Sequence, residues 1–153
     1  MSSIGTRWQQ IKEKILSGDL SPERIASGWA LGMFAGCAVP FGLQLAVTVP
    51  IAKFAKISMV GATVGTLITN PVTIFFIYPA QTWVVYRLFF GELDYNSLKN
   101  IEWTRETVMS FSTQLMASYF LGGLFLALIL TPITYFAVKG FVVFNRKRKG
   151  ERK

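Results

Sequence analysis

Three stretches without a charged residue, 25–52, 57–86 and 107–138, dominate the pattern of the chain. Each exceeds the roughly 20 residues that a helix needs to cross a bilayer. Helices of a soluble protein of this length would show polar faces at regular spacing, and these runs show few. The pattern predicts an all-α membrane protein of interrupted, re-entrant helical hairpins plus transmembrane helices.

The first run opens as a helix should. Ser21 is placed to cap it, Pro22 suits the first turn, and Glu23 suits the positive end of the helix dipole. Gly28, Gly32 and Gly36 then recur every fourth position and share one face. Pro40 and Gly42 break this helix after roughly 25 Å, too short to cross. The backbone groups freed there need partners in protein or water, because hydrocarbon offers none. The second half, Leu43 to Phe54, contains Pro50 and leads to Lys53 and Lys56.

The second run has the same form. Gly61 and Gly65 are followed by Thr69, and Asn70-Pro71 interrupts before Val72-Thr73. An offset of 29 residues puts Gly32 on Gly61, Gly36 on Gly65 and Pro40 on Thr69. Small residues at this spacing let helices pack closely. Matching interrupted segments in two halves point to a transporter-type site. Since glycine and alanine are common in membrane helices, a chance match stays open as the alternative.

The third run is too long for one upright span, and Gly122-Gly123 and Pro132 are places to bend. Trp103, Tyr119 and Tyr135 suit the membrane interfaces. The chain therefore divides into an amphipathic segment 1–20, a core domain 21–90 with two interrupted hairpins, a polar loop 91–106, a long kinked transmembrane segment 107–145 and a basic tail 146–153. In the first segment Trp8, Ile11, Ile15 and Leu16 lie at helical spacing, with Arg7, Lys12, Glu13 and Lys14 on the other faces. It reads as an interfacial helix or as a short helix packed on the rest, and not as a cleavable signal peptide.

Composition agrees, with 52% hydrophobic residues and a net charge of +8. In a soluble chain that charge would suggest nucleic acid; here topology and lipid headgroups account for it. Seven Lys and Arg residues follow from Lys139 onward, and the N-terminal segment holds Arg7, Lys12, Lys14 and Arg24. Both ends are expected in the cytoplasm, with Lys53 and Lys56 returned there by the first hairpin and the loop outside. The single cysteine, Cys37, rules out an intrachain disulfide and sits in an apolar run as a small buried hydrophobe.

Ser21-Pro22, Ile25-Ala26, Gly28, Ala30, Gly32, Phe34 and Gly36, then Pro40-x-Gly42-x-Gln44 and Asn70-Pro71-x-Thr73, together carry a resemblance. Residues 21–90 resemble the bacterial membrane proteins grouped as domain of unknown function 2062. The chain departs from that pattern at Lys56-Ile57-Ser58 and at Tyr78-Pro79-Ala80-Gln81. The resemblance implies the inner membrane of a bacterium and, through the sugar-transferring domains beside which some relatives carry it, envelope biology. It implies no activity.

The chemistry is spare. There is no histidine, no carboxylate inside an apolar run, and no phosphate-binding loop, dinucleotide fingerprint or metal-spaced cluster. Neither catalysis nor a cofactor nor a metal is expected. Polar residues at membrane depth remain, because leaving them unpaired is costly. Pro40, Gly42, Gln44, Asn70, Pro71 and Thr73 at the breaks, with Arg87, are the candidates for binding a ligand; Gln81 and Gln114 are further buried amides. On one reading the breaks meet near the midplane and face an anionic lipid or polyprenyl phosphate, as in a small lipid-translocating protein. On the other, Gln44 and Asn70 merely cap broken helices, and Gly28, Gly32, Gly36, Gly61 and Gly65 pack helices of a scaffold or accessory subunit. The partners expected are membrane lipids and either a second copy or another membrane protein, and no nucleic acid.

Overall fold

The computed structural model describes residues 20–91 and 104–150. Among them the structure is all helical, with no strand. The amphipathic segment, most of the polar loop and the end of the basic tail lie outside the described residues.

Helix α1, Pro22–Ala38, begins and ends by local rules. Ser21 adopts an extended conformation and its hydroxyl accepts from the Arg24 amide at 3.4 Å. Val39, forced out of the helical region by the proline that follows, stops the helix at φ −104 and ψ 135. The chain then turns through Pro40–Leu43, closed by the Leu43 amide on Pro40 O at 3.1 Å. Gly42 takes φ +95 there with open space around it, so backbone conformation and not crowding calls for glycine.

Helix α2, Gln44–Phe54, runs back beside α1. Its C-terminus closes with the Ile57 amide on Ala52 O at 3.0 Å and the Lys56 amide on Lys53 O at 3.2 Å. This is the Schellman arrangement, whose left-handed position normally holds glycine. Lys56 occupies it at φ 53, at a cost of roughly 1–2 kcal/mol for a residue with a Cβ. Ser58 then caps the short helix α3, Met59–Thr66, by accepting from the Gly61 amide at 3.0 Å. Its own amide donates to Arg24 O at 3.1 Å and ties the start of α3 to the start of α1.

The glycine stripes are where α1 and α3 cross. A Cβ on Gly28 would strike Ser58 O, and one on Gly32 would strike Ala62 O. From the other side, a Cβ on Gly61 would lie 2.7 Å from Trp29 Cδ1, and one on Gly65 would lie 2.6 Å from Trp29 O. Gly36 is less crowded, its Cβ position being 3.2 Å from Ile68 Cγ2. Two backbones therefore touch along the crossing, a contact that only these residues permit.

After a second break, α4 spans Ile74–Phe89. Helix α2 starts at Gln44 and α4 at Ile74, so the two restarts are related by an offset of 30 residues, one more than the glycine pattern suggests. Helix α5, Arg105–Gly150, is a single helix of 46 residues, about 69 Å long. It continues through Gly122-Gly123 and Pro132, where the sequence suggests bends. The two glycines serve packing. A Cβ on Gly122 would lie 2.5 Å from Gln81 O, and one on Gly123 2.5 Å from Cys37 O. Helix α5 thus runs antiparallel to both α1 and α4.

At the far end of α5, Val142 packs on Ile25, Lys139 pairs with Glu23 at 3.2 Å, and Arg146 donates to Leu20 O at 2.8 Å. The Glu23 carboxylate is held below its ordinary pKa, first by its own backbone amide at the start of α1 and then by Lys139. Arg24, Lys53, Lys56, Lys139 and Arg146 therefore gather at one end of the molecule. Of the two described acids, Glu23 lies within this basic cluster and Glu106 in the first turn of α5, at the other end.

The interior is rich in small residues: Ala26, Ala30, Ala35, Ala52, Ala62, Ala127 and Ser118 are buried beside larger ones such as Ile25, Tyr86 and Val142. The outside carries the bulk, with Phe54 at 86%, Phe75 at 75% and Phe76 at 73% exposure. Water would penalise so continuous an apolar exterior. By length and composition, one described helix, α5, is able to cross a membrane.

Candidate functional site

The two breaks are a single joint. The Gln44 side chain is only 4% exposed. Its Nε2 lies 2.8 Å from Thr69 Oγ1 and 3.2 Å from each of Gly36 O and Val39 O, with Tyr78 OH at 3.3 Å. One amide group thus serves the end of α1, the end of the α3 segment and the second turn of α4. It has only two hydrogens, so four acceptors share them, and the short Thr69 contact takes the best geometry. Thr69 passes the chain on by donating to Thr66 O at 3.2 Å. Thr48, fully buried one turn into α2, donates back to Gln44 O at 2.8 Å. The carbonyls left without helical partners at Gly36 and Val39 thus both lie within reach of Nε2 and share what Thr69 leaves of it.

The second break satisfies itself. Asn70 Oδ1 accepts from the Val72 and Thr73 amides at 2.9 and 3.1 Å, while its Nδ2 donates to Leu67 O at 3.4 Å. Thr73 reciprocates: its hydroxyl accepts from the Asn70 amide at 2.9 Å and donates to Ile68 O at 2.6 Å. Pro71 follows the capping residue, where its missing N–H costs nothing. Asn70 and Thr73 therefore form a reciprocal cap on the turn leading into α4, in the manner of a capping box.

Of the candidate ligand residues, Pro40, Gly42 and Gln44 shape the first half of the joint, and Asn70, Pro71 and Thr73 the second. Arg87 does not join them. It is exposed near the end of α4, about 20 Å along the axis from the helix start. Its guanidinium stacks on Trp83 at 5.4 Å, a contact that suits an arginine at an apolar–aqueous boundary.

Two partners at the joint were hidden in the sequence. Thr69 falls opposite Pro40 in the repeat pattern, and Tyr78 lies one turn into α4; neither spacing says which amide it meets. A polar seam continues between α4 and α5. Gln81 Nε2 donates to Tyr119 O at 3.4 Å, Tyr86 OH donates to Gln114 Oε1 at 3.1 Å, and the Tyr78 and Tyr119 rings meet edge to face at 5.0 Å. Gln81 Oε1 and Ser118 Oγ are buried in this seam with no protein partner. Among the described residues, no group of His, Cys, Asp and Glu is placed to hold a metal ion.

Residues 6–151 match the family described as uncharacterised proteins conserved in bacteria, domain of unknown function 2062. The chain belongs to that family. The match takes in the third apolar run as well as the first two, so α5 is part of the family's unit. No curated protein and no solved structure matches the chain.

Proposed function

We propose that this family member is a multi-pass protein of the bacterial inner membrane that binds and moves an anionic amphiphile, a phospholipid or polyprenyl phosphate, without catalysing a reaction. The observation that carries the reading is the joint: both helical interruptions converge on Gln44, with Thr69 and Tyr78 reaching it from the second hairpin. Two discontinuous helices meeting between two halves is the arrangement on which transporters build a site for a charged group. Helices α2 and α4 both restart there and turn their positive ends toward the joint. The inside-out distribution of side chains supports membrane embedding. The basic end of α1, α2 and α5 supports a cytoplasmic placement of the chain's N-terminal and C-terminal segments, with the first hairpin entering and leaving by the same face.

A second reading rests on a different observation. The amides of Gln44 and Asn70 are spent on the chain's own backbone, as expected of a non-transporting scaffold or accessory subunit. Reconstitution separates the two. Full-length protein is placed in vesicles carrying a fluorescent phosphatidylglycerol in both leaflets, and a quencher is added outside. Transport is expected to expose the inner-leaflet fraction far faster than in protein-free vesicles. A rate equal to that of empty vesicles contradicts transport and leaves the scaffold.

A further inference from the structure

We infer that the anionic headgroup is first held at the basic end of the hairpins, by Arg24, Lys53 and Lys56, before it reaches the joint. The inference rests on the anionic-amphiphile reading and gives it a binding site. A cavity of about 390 Å³ opens between the start of α1, the end of α2 and the start of α3. Each of those elements brings one cation to its wall: Arg24 from the first turn of α1, Lys53 from the last turn of α2, and Lys56 from the turn between α2 and α3. None of the cavity's described lining residues is acidic. Three like charges around one hollow repel each other unless an anion joins them.

The backbone adds an independent argument. Lys56 sits at the left-handed position of the helix cap, at φ 53, where glycine would relieve the strain. The amide bonds that define the cap do not involve its side chain. Strain kept at a charged residue points to a use for the charge. The surroundings suit a lipid better than a soluble ion. Met59 and Val60 on the cavity wall are about half exposed, and Phe54 beside it is 86% exposed, so acyl chains would find an apolar surface directly next to the cations. The Ser58 amide is committed to Arg24 O, and its hydroxyl accepts from the Gly61 amide while keeping its own hydrogen to donate. The charge that draws the phosphate comes from the three cations, each opposite to it in sign.

The test uses the full chain in detergent with equal phosphatidylglycerol and phosphatidylcholine, reading retained lipid by native mass spectrometry. Wild type is expected to select phosphatidylglycerol. Arg24→Gln, Lys53→Gln and Lys56→Gln should each lower that selectivity about fivefold, the worth of one cation beside an anionic headgroup. The triple variant should lower it on the order of a hundredfold, and Lys147→Gln on the exposed end of α5 should leave it unchanged. Lys56→Gly is the sharpest variant, because it should melt above wild type and still lose selectivity about fivefold. Inorganic phosphate, added in excess, distinguishes the sources. Displacement of the lipid identifies a phosphate site that needs no tails, and retention identifies the whole lipid as ligand. Unchanged selectivity in the single variants and in Lys56→Gly overturns the site, whether or not the triple variant folds. If wild type itself does not distinguish the two lipids, the anionic-amphiphile reading fails and takes this inference with it.

Discussion

Gly32→Leu is expected to leave no monodisperse protein in detergent. A Cβ alone at that position would fall on Ala62 O, with Gly65 Cα 2.7 Å away, so the obstacle is backbone and cannot rotate aside. Helices α1 and α3 would have to separate along their whole crossing, and Ser58 would lose its hold on Arg24 O. The loss should reach about 4 kcal/mol or more, the range reserved for substitutions that a packed interior cannot absorb. Gly140→Ala provides the contrast. Nothing lies within 4 Å of that Cβ position, so the change should be neutral or raise stability by up to about 1 kcal/mol through helix propensity. Size-exclusion profiles and thermal melts of the two variants compare them directly. A monodisperse Gly32→Leu protein with the wild-type melting temperature would contradict the crossing.

Gln44→Leu should be the next most damaging change. Leucine nearly fills the volume but leaves Gly36 O and Val39 O facing apolar surroundings and removes the bond to Thr69. An abandoned buried acceptor costs about 1–3 kcal/mol, so the sum should be near 3 kcal/mol, or a fall of roughly 10 °C in melting temperature for a chain of this size. Asn70→Ala removes a cap from a more exposed turn and should cost only about 1 kcal/mol. Equal melting temperatures for the two variants would show that Gln44 does no more than a local cap.

The elements fixed by near neighbours were legible in the chain. Ser21 and Pro22 start α1, Pro40 and Gly42 stop it, and Asn70-Pro71-x-Thr73 caps its own turn, all through contacts a few residues apart. The four-residue spacing of Gly28, Gly32 and Gly36 also announced a close-packed face, because that face follows from helix geometry. Which surface it meets is a tertiary matter. Gly122-Gly123 looks like a hinge in isolation and becomes a contact face only because Gln81 and Cys37 arrive there from elsewhere. Gln44 could be named as a candidate, but its partners Thr69 and Tyr78 lie 25 and 34 residues away, beyond any local rule. From the sequence, Lys53 and Lys56 are simply cations at the end of the first run, expected on the cytoplasmic side. Their convergence with Arg24 depends on the Pro40–Leu43 turn that folds α2 back beside α1 and on the Schellman turn that leads from α2 into α3.

The proposed function requires the two interruptions to form one joint. Gly36 and Thr69 face each other across it, the Cβ position of Gly36 lying 3.3 Å from Thr69 Oγ1. That separation suits the reach of a disulfide. The direct measurement is oxidation of the Gly36→Cys, Thr69→Cys double variant on a Cys37→Ala background, followed by alkylation of whatever thiols remain. The joint predicts rapid intramolecular bridging of protein in membranes, with neither thiol alkylated and each single variant fully alkylated. Two freely alkylated thiols in a folded double variant would show that the breaks stand apart, and the joint would be contradicted.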